Sequence, residues 1–187
     1  KHHQLRQEYN IPIDAKILLY APTFRGGSQN KKRSVNREKV TVDLERLIEA
    51  LEQRFCSKWY IFLRLHPQLA ADMEEMITGQ EGERLIDVSQ RPDMNEIIAG
   101  SDAFLTDYSS AVFEAAMAGL PGFIYADDLR EYIAERGDLM FNIEDLPFPA
   151  ALDNDGLINN ILQFDDEKYQ RRTREFFDRV GNREDGY

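Results

Sequence analysis

A chain of 187 residues has room for one good hydrophobic core and is short for two. Hydrophobic residues make up 42% and charged residues 30%, the balance of a soluble globular domain and not of a disordered or fibrous chain. The formal net charge of −11, from 34 acidic and 23 basic residues, argues against a nucleic-acid duplex as partner but leaves room for a single nucleotide, which needs only a few donors.

The charged start Lys1-His2-His3-Gln4 is unlike a signal peptide. Lys1 to Asn10 reads as a helix with little to pack against, a linker leading in from a missing N-terminal domain, with residues 11–187 forming the domain proper. Ile17-Leu18-Leu19-Tyr20 is strand-like. A polar stretch follows, and its segment Gly26 to Lys39 holds Gly26-Gly27-Ser28 and five Lys or Arg residues, fitting either a solvated loop or a lid near an anionic ligand. Asp43 to Arg54 places Leu44, Leu47, Ile48 and Leu51 on one helix face. Cys56, the single cysteine, cannot form an internal disulfide and suits a small apolar position near a helix end in a reducing, cytoplasmic setting.

Trp59-Tyr60-Ile61-Phe62-Leu63 is too continuous in its apolarity to have a wet face, so a buried parallel strand is expected. Leu69 to Thr78 has helical spacing, Arg84 to Val88 is a short strand, and Met94 to Ala99 a short helix. Asp102 to Thr106 is a strand and Ser109 to Ala118 a helix. Gly122-Phe123-Ile124-Tyr125 is another strand, Asp127-Asp128 begins the next helix, and Asp155 to Val180 carries two more. The final Arg183-Glu184-Asp185-Gly186-Tyr187 is not a capped element, so both ends read as cuts through a longer protein. Alternation of this kind predicts an α/β fold, a Rossmann-like doubly wound parallel sheet. No run approaches the roughly 18 apolar residues that span a bilayer, so no transmembrane segment is expected.

Ligands of open α/β sheets bind outside the carboxyl ends of the strands, where loops converge. Three strand ends carry unusual polar residues: Ala21-Pro22-Thr23-Phe24-Arg25, Arg64-Leu65-His66-Pro67 and Thr106-Asp107-Tyr108-Ser109-Ser110. Ser109 or Ser110 stands where a helix cap belongs, and the unpaired N–H groups of a helix start suit a diphosphate. Thr23 adds a hydroxyl to the same edge, and Arg25 offers a planar, permanently charged fork for phosphate. Glu114, about one helical turn on, could reach ribose hydroxyls, and Asp107 is grouped with it as a nucleotide contact. His66, fixed from behind by Pro67, is the candidate catalytic residue, able to donate to a phosphate or to neutralise a departing diphosphate. Arg64 fits a structural ion pair better than a ligand contact. There is no metal-ligand spacing, no Gly-Lys-Ser/Thr phosphate loop and no Gly-x-Gly-x-x-Gly fingerprint, so neither a metal nor a cofactor is expected.

Leu19 to Arg25, Arg64 to Pro67, Ser101-Asp102, Thr106 to Ser110, Phe113-Glu114, Pro121 and Phe123-Ile124-Tyr125 resemble, in order and spacing, the CDP-glycerol glycerophosphotransferase family of teichoic acid synthesis. The resemblance covers nearly all of the chain. It implies a two-domain GT-B architecture in which this chain is the C-terminal, donor-binding domain. It also implies a peripheral enzyme of the cytoplasmic membrane face, moving glycerol or ribitol phosphate from a CDP-linked donor to a lipid-linked acceptor and releasing CMP. His66 then falls at the family's donor-side histidine, Ser109 and Ser110 at its phosphate-binding helix start, and Glu114 at a ribose-contacting acidic position. The base that activates the acceptor comes, in that family, from the N-terminal domain, so this fragment is expected to be inactive alone. The alternatives are a UDP-sugar glycosyltransferase or sugar-nucleotide epimerase on the same fold and, less well supported, a non-catalytic nucleotide-binding module. A receiver-type module needs clustered acids after the first strand, where Ala21-Pro22-Thr23 stands.

Overall fold

Six parallel strands form one sheet in the computed structural model, which describes residues 2–23, 40–65 and 83–181. In chain order they are β1 (Lys16–Tyr20), β2 (Trp59–Leu63), β3 (Leu85–Asp87), β4 (Ala103–Thr106), β5 (Gly122–Tyr125) and β6 (Ala150–Ala151). Across the sheet the order is β3-β2-β1-β4-β5-β6, with every neighbouring pair parallel. Every residue of β2, β4 and β5 is buried, as strands covered on both faces must be. This is the doubly wound, Rossmann-like arrangement expected from the alternation.

Seven α-helices accompany the described strands: α1 (His2–Glu8), α2 (Leu44–Phe55), α3 (Met94–Ile98), α4 (Ala111–Met117), α5 (Leu129–Arg136), α6 (Asn154–Leu162) and α7 (Asp166–Val180). Their starts are written in the sequence. Asp43, Asp93, Asp153 and Asp165 each accept a backbone N–H from the first turn of α2, α3, α6 and α7. Cys56 closes α2 in the left-handed region, at φ 51°, and is exposed. The helix expected over Leu69 to Thr78 lies outside the described residues, as do Gly26 to Lys39 and the final residues from 182 on.

Two features depart from expectation. The edge strand β6 is an Ala-Ala pair, too short for any periodicity, and is strand only because it registers against Ile124 and Tyr125. The expectation that the first ten residues have little to pack against is not met. Leu5 and Arg6 on α1 are each 1% exposed. The Arg6 guanidinium donates to the carbonyls of Ala15 and Gly100 and to Asp102 Oδ2 at 2.6 Å, while Asp102 also receives Lys16 Nζ at 2.9 Å. An arginine looks like surface in a linear reading. Its carboxylate lies 96 positions away, so only the folded chain reveals the burial.

Candidate functional site

From β1 the chain runs outward through β2 and β3, then returns to β4 on the other side of β1. The crevice at the carboxyl ends of β1 and β4 is therefore the topological switch point of the sheet. The loops leaving these two strands are laced together. Ala21 N–H donates to the Leu105 carbonyl at 3.0 Å, and Thr106 Oγ1 donates to the Ala21 carbonyl at 2.6 Å. One step further, the Asp107 carboxylate accepts the Thr23 N–H, at 2.8 Å to Oδ1 and 3.0 Å to Oδ2, and the Tyr108 N–H at 2.6 Å. Thr23 and the segment Asp107-Tyr108-Ser109-Ser110 thus share one edge, as the sequence suggested.

The β4 loop turns into α4. Ser109 Oγ accepts the Ala111 N–H at 3.3 Å. Ser110 occupies the cap position, is exposed, and makes no side-chain cap bond. Glu114 is exposed four residues on, and positions four apart stack on one helix face, so its carboxylate lies on the same side as the Ser110 hydroxyl. The buried side of α4 carries Val112, Ala115 and Ala116, and beside it the half-buried Phe113 ring stacks on Phe176 of α7 with centroids 5.7 Å apart and meets Phe148 at 5.4 Å. An aromatic cluster therefore fixes the helix from below while its start stays open.

Four side chains near the crevice, Tyr108, Asp128, Tyr132 and Tyr125, were given no role at the site in the sequence reading. Tyr108 Oη donates to Asp128 Oδ1 at 2.8 Å, and the Tyr108 ring stacks on Tyr132 of α5 with centroids 3.7 Å apart and planes at 18°. Asp128, at the start of α5, makes no side-chain cap bond there and turns to the phenol instead. The Asp-Asp pair looked only like a helix start, and nothing in its spacing marks a tyrosine 20 residues earlier. Behind the carboxyl end of β5, burial raises the pKa of Tyr125, and its hydroxyl lies 3.5 Å from the Thr41 carbonyl.

After β2, the Arg64 N–H donates to the Tyr20 carbonyl, the Arg64 guanidinium to the Arg91 carbonyl at 3.1 Å, and the Leu65 N–H to Ser89 Oγ at 2.9 Å. Arg64 is tied to backbone, where an ion pair was expected. Arg25 and His66 lie outside the described residues, each close in sequence to a described strand end. Among the described residues no group of three His, Cys, Asp or Glu side chains could hold a metal ion, and no helix is long and apolar enough to cross a membrane.

A family model described as CDP-Glycerol:Poly(glycerophosphate) glycerophosphotransferase matches residues 1–187. The chain is 30% identical over 186 residues to a teichoic acid poly(glycerol phosphate) polymerase of Staphylococcus epidermidis, covering 98% of this chain and 25% of that protein. It is 31% identical over 185 residues to a teichoic acid glycerol-phosphate transferase of Staphylococcus aureus, covering 97% of this chain and 45% of the relative. It therefore spans less than half the length of either curated relative. Among solved structures, the wall teichoic acid polymerase TagF superposes with a TM-score of 0.73 at 29% identity, over 95% of this chain and 42% of that one. A TagF variant soaked with CDPG superposes with a TM-score of 0.71 at 28% identity, over 95% and 39%.

Proposed function

The chain belongs to the CDP-glycerol:poly(glycerophosphate) glycerophosphotransferase family, and we propose that it binds the CDP-linked polyol donor of a teichoic-acid-type transferase. The observation that carries this reading is the junction of Thr23 with the Asp107 to Ser110 segment at the switch point of the sheet. That is where a doubly wound fold receives a nucleotide. In this reading the diphosphate meets the hydroxyls of Thr23, Ser109 and Ser110, with Glu114 turned toward the ribose. Asp107, Glu114, Asp127 and Asp128 bring carboxylates to this edge, so the donor's own negative charge has to be offset by cations. Arg25 and His66 supply them, the one two residues beyond Thr23 and the other directly after Leu65. A group that stabilises charge as it develops on the leaving phosphate acts on the transition state more than on the bound donor.

The reaction that follows is a displacement at phosphorus. An acceptor hydroxyl oxygen forms a bond to the polyol-linked phosphorus, the bond from that phosphorus to the bridging oxygen breaks, and CMP departs with the electron pair. The acceptor's proton passes to a base contributed by the remainder of the longer protein. In this reading His66 donates to the departing phosphate and helps offset the charge CMP carries away. The full-length enzyme would work at the cytoplasmic face of the membrane, on a lipid-linked acceptor.

CDP-glycerol and CMP should bind the isolated chain, and UDP-N-acetylglucosamine should compete poorly with either. Calorimetry gives the affinities, and amide NMR should show the largest shifts between Ser109 and Glu114. His66→Ala should weaken CDP-glycerol about tenfold, the usual effect of removing one charge-assisted contact. No heat at millimolar CDP-glycerol, with no shift at Ser109 to Glu114, would remove the donor reading.

A further inference from the structure

We propose that Asp107 is a positioning residue, whose buried carboxylate sets the gap between the loop after β1 and the loop after β4 without touching the donor. The role presupposes the donor site described above. Asp107 is 5% exposed, and a carboxylate that deep is tolerated only among donors. Peptide groups of its own chain donate to it from both walls of the crevice. Thr23 N–H reaches it from the β1 side at 2.8 and 3.0 Å, and Tyr108 N–H from the β4 side at 2.6 Å. A carboxylate that reads ribose hydroxyls has to be open to the ligand, and Glu114 is exposed where Asp107 is buried.

The bridge continues to a third strand end. Tyr108, whose N–H Asp107 holds, presents its hydroxyl to Asp128 and its ring to Tyr132. No residue of α5 is buried, so the seat of that helix depends on contacts of this kind. Two adjacent residues thereby join the walls formed after β1, β4 and β5. N–H bonds to a carboxylate are about twice as strong as those to a neutral acceptor, so the Asp107 bridge ties the two loops firmly. A site so braced holds Thr23 and Ser109-Ser110 at one separation, and shifts of about 1 Å in such groups cost about a hundredfold in rate.

Two ligands separate positioning from ribose contact: CMP and 2′,3′-dideoxy-CMP, each titrated into the whole 187-residue chain. A ribose contact matters only where the ribose hydroxyls are present, whereas a positioning residue weakens both ligands by the same factor. Asp107→Asn should lower both affinities alike, by about tenfold, while Glu114→Gln should lower that of CMP alone. A loss confined to CMP, or no loss on either ligand while the wild type binds both, overturns the positioning role and leaves donor binding standing. A wild-type chain that binds neither overturns the donor reading, and the positioning role with it. The unliganded wild type gives a readout that does not depend on how the variant folds. Its Thr23 amide nitrogen should show a scalar coupling to the Asp107 carboxyl carbon, with slow exchange of the Thr23 amide hydrogen. Fast exchange with no such coupling would also overturn the proposal.

Discussion

Tyr169 Oη donates to the Leu120 carbonyl and accepts the Gly122 N–H, each at 2.9 Å, so one phenol pins both sides of Pro121 to α7. Gly122 suits this arrangement because a Cβ there would press on Val112 and on the phenol oxygen itself. Burial pushes the Tyr169 pKa from 10.0 up to about 12. A folded pKa raised above the unfolded one gives stability that is complete below the unfolded value and is lost as pH rises through the folded value. The window is thus from about pH 10 to about pH 12, and the loss is on the order of 2 kcal/mol. Tyr169→Phe should reduce that alkaline slope of the urea-unfolding free energy, with Tyr125 left to contribute to the rest, at a cost of about 1–3 kcal/mol near neutral pH for the unsatisfied peptide groups. A variant with the same slope between pH 10 and about 12 would show that another group titrates there.

Among the elements, α1 shows best where sequence reasoning stops. The caps at Asp43, Asp93, Asp153 and Asp165 act within four residues of themselves, a local signal, although the sequence reading gave only the helices and not these caps. The docking of α1 has no local signal, because its partners are distant: Gly100, Asp102 and, for Tyr9 just beyond it, the Phe62 ring at 5.1 Å. Gly100 itself is part of the fit, since a methyl group there would run into the Leu5 side chain. Arg6→Met should cost about 3 kcal/mol by leaving Asp102 short of a partner, although Lys16 and the Ile17 N–H still reach it. The double variant Arg6→Met with Asp102→Leu should recover part of that loss in chemical denaturation, because the stranded carboxylate is then gone too. If the double variant is as unstable as the sum of the two singles, the pair is not coupled and Arg6 holds α1 through its bonds to the Ala15 and Gly100 carbonyls instead. The start of α4, where the donor site is proposed, was better marked. The strand-to-helix switch at Ser109-Ser110 was recognisable in the sequence, but the aromatic seat of Phe113 draws on α7, more than 50 residues on, and left no local signal.

At the scale of the whole molecule, the surface charge and the proposed ligand have the same sign. The chain carries −11, and its donor would arrive with a negative diphosphate. The alternation of strands and helices and the burial of the strands were readable because periodicity is local, whereas the strand order, the switch point it creates and the electrostatics of the crevice depend on the folded chain. Salt distinguishes the two contributions. Raising ionic strength from about 0.01 M to about 0.15 M shortens the Debye length from about 30 Å to about 8 Å. Repulsion from carboxylates spread over the surface acts across the longer distance and is screened. The contacts proposed for Arg25, His66 and the α4 start would act within a few ångströms and would be largely kept. CMP affinity should therefore hold level or rise modestly over that range, measured by calorimetry at constant pH. A polybasic phosphate-binding surface behaves in the opposite way, losing affinity steeply with salt through counterion release. A steep fall here would mean that diffuse positive charge outweighs the acidic surface around the crevice, and that the ligand is held by something other than a few close donors.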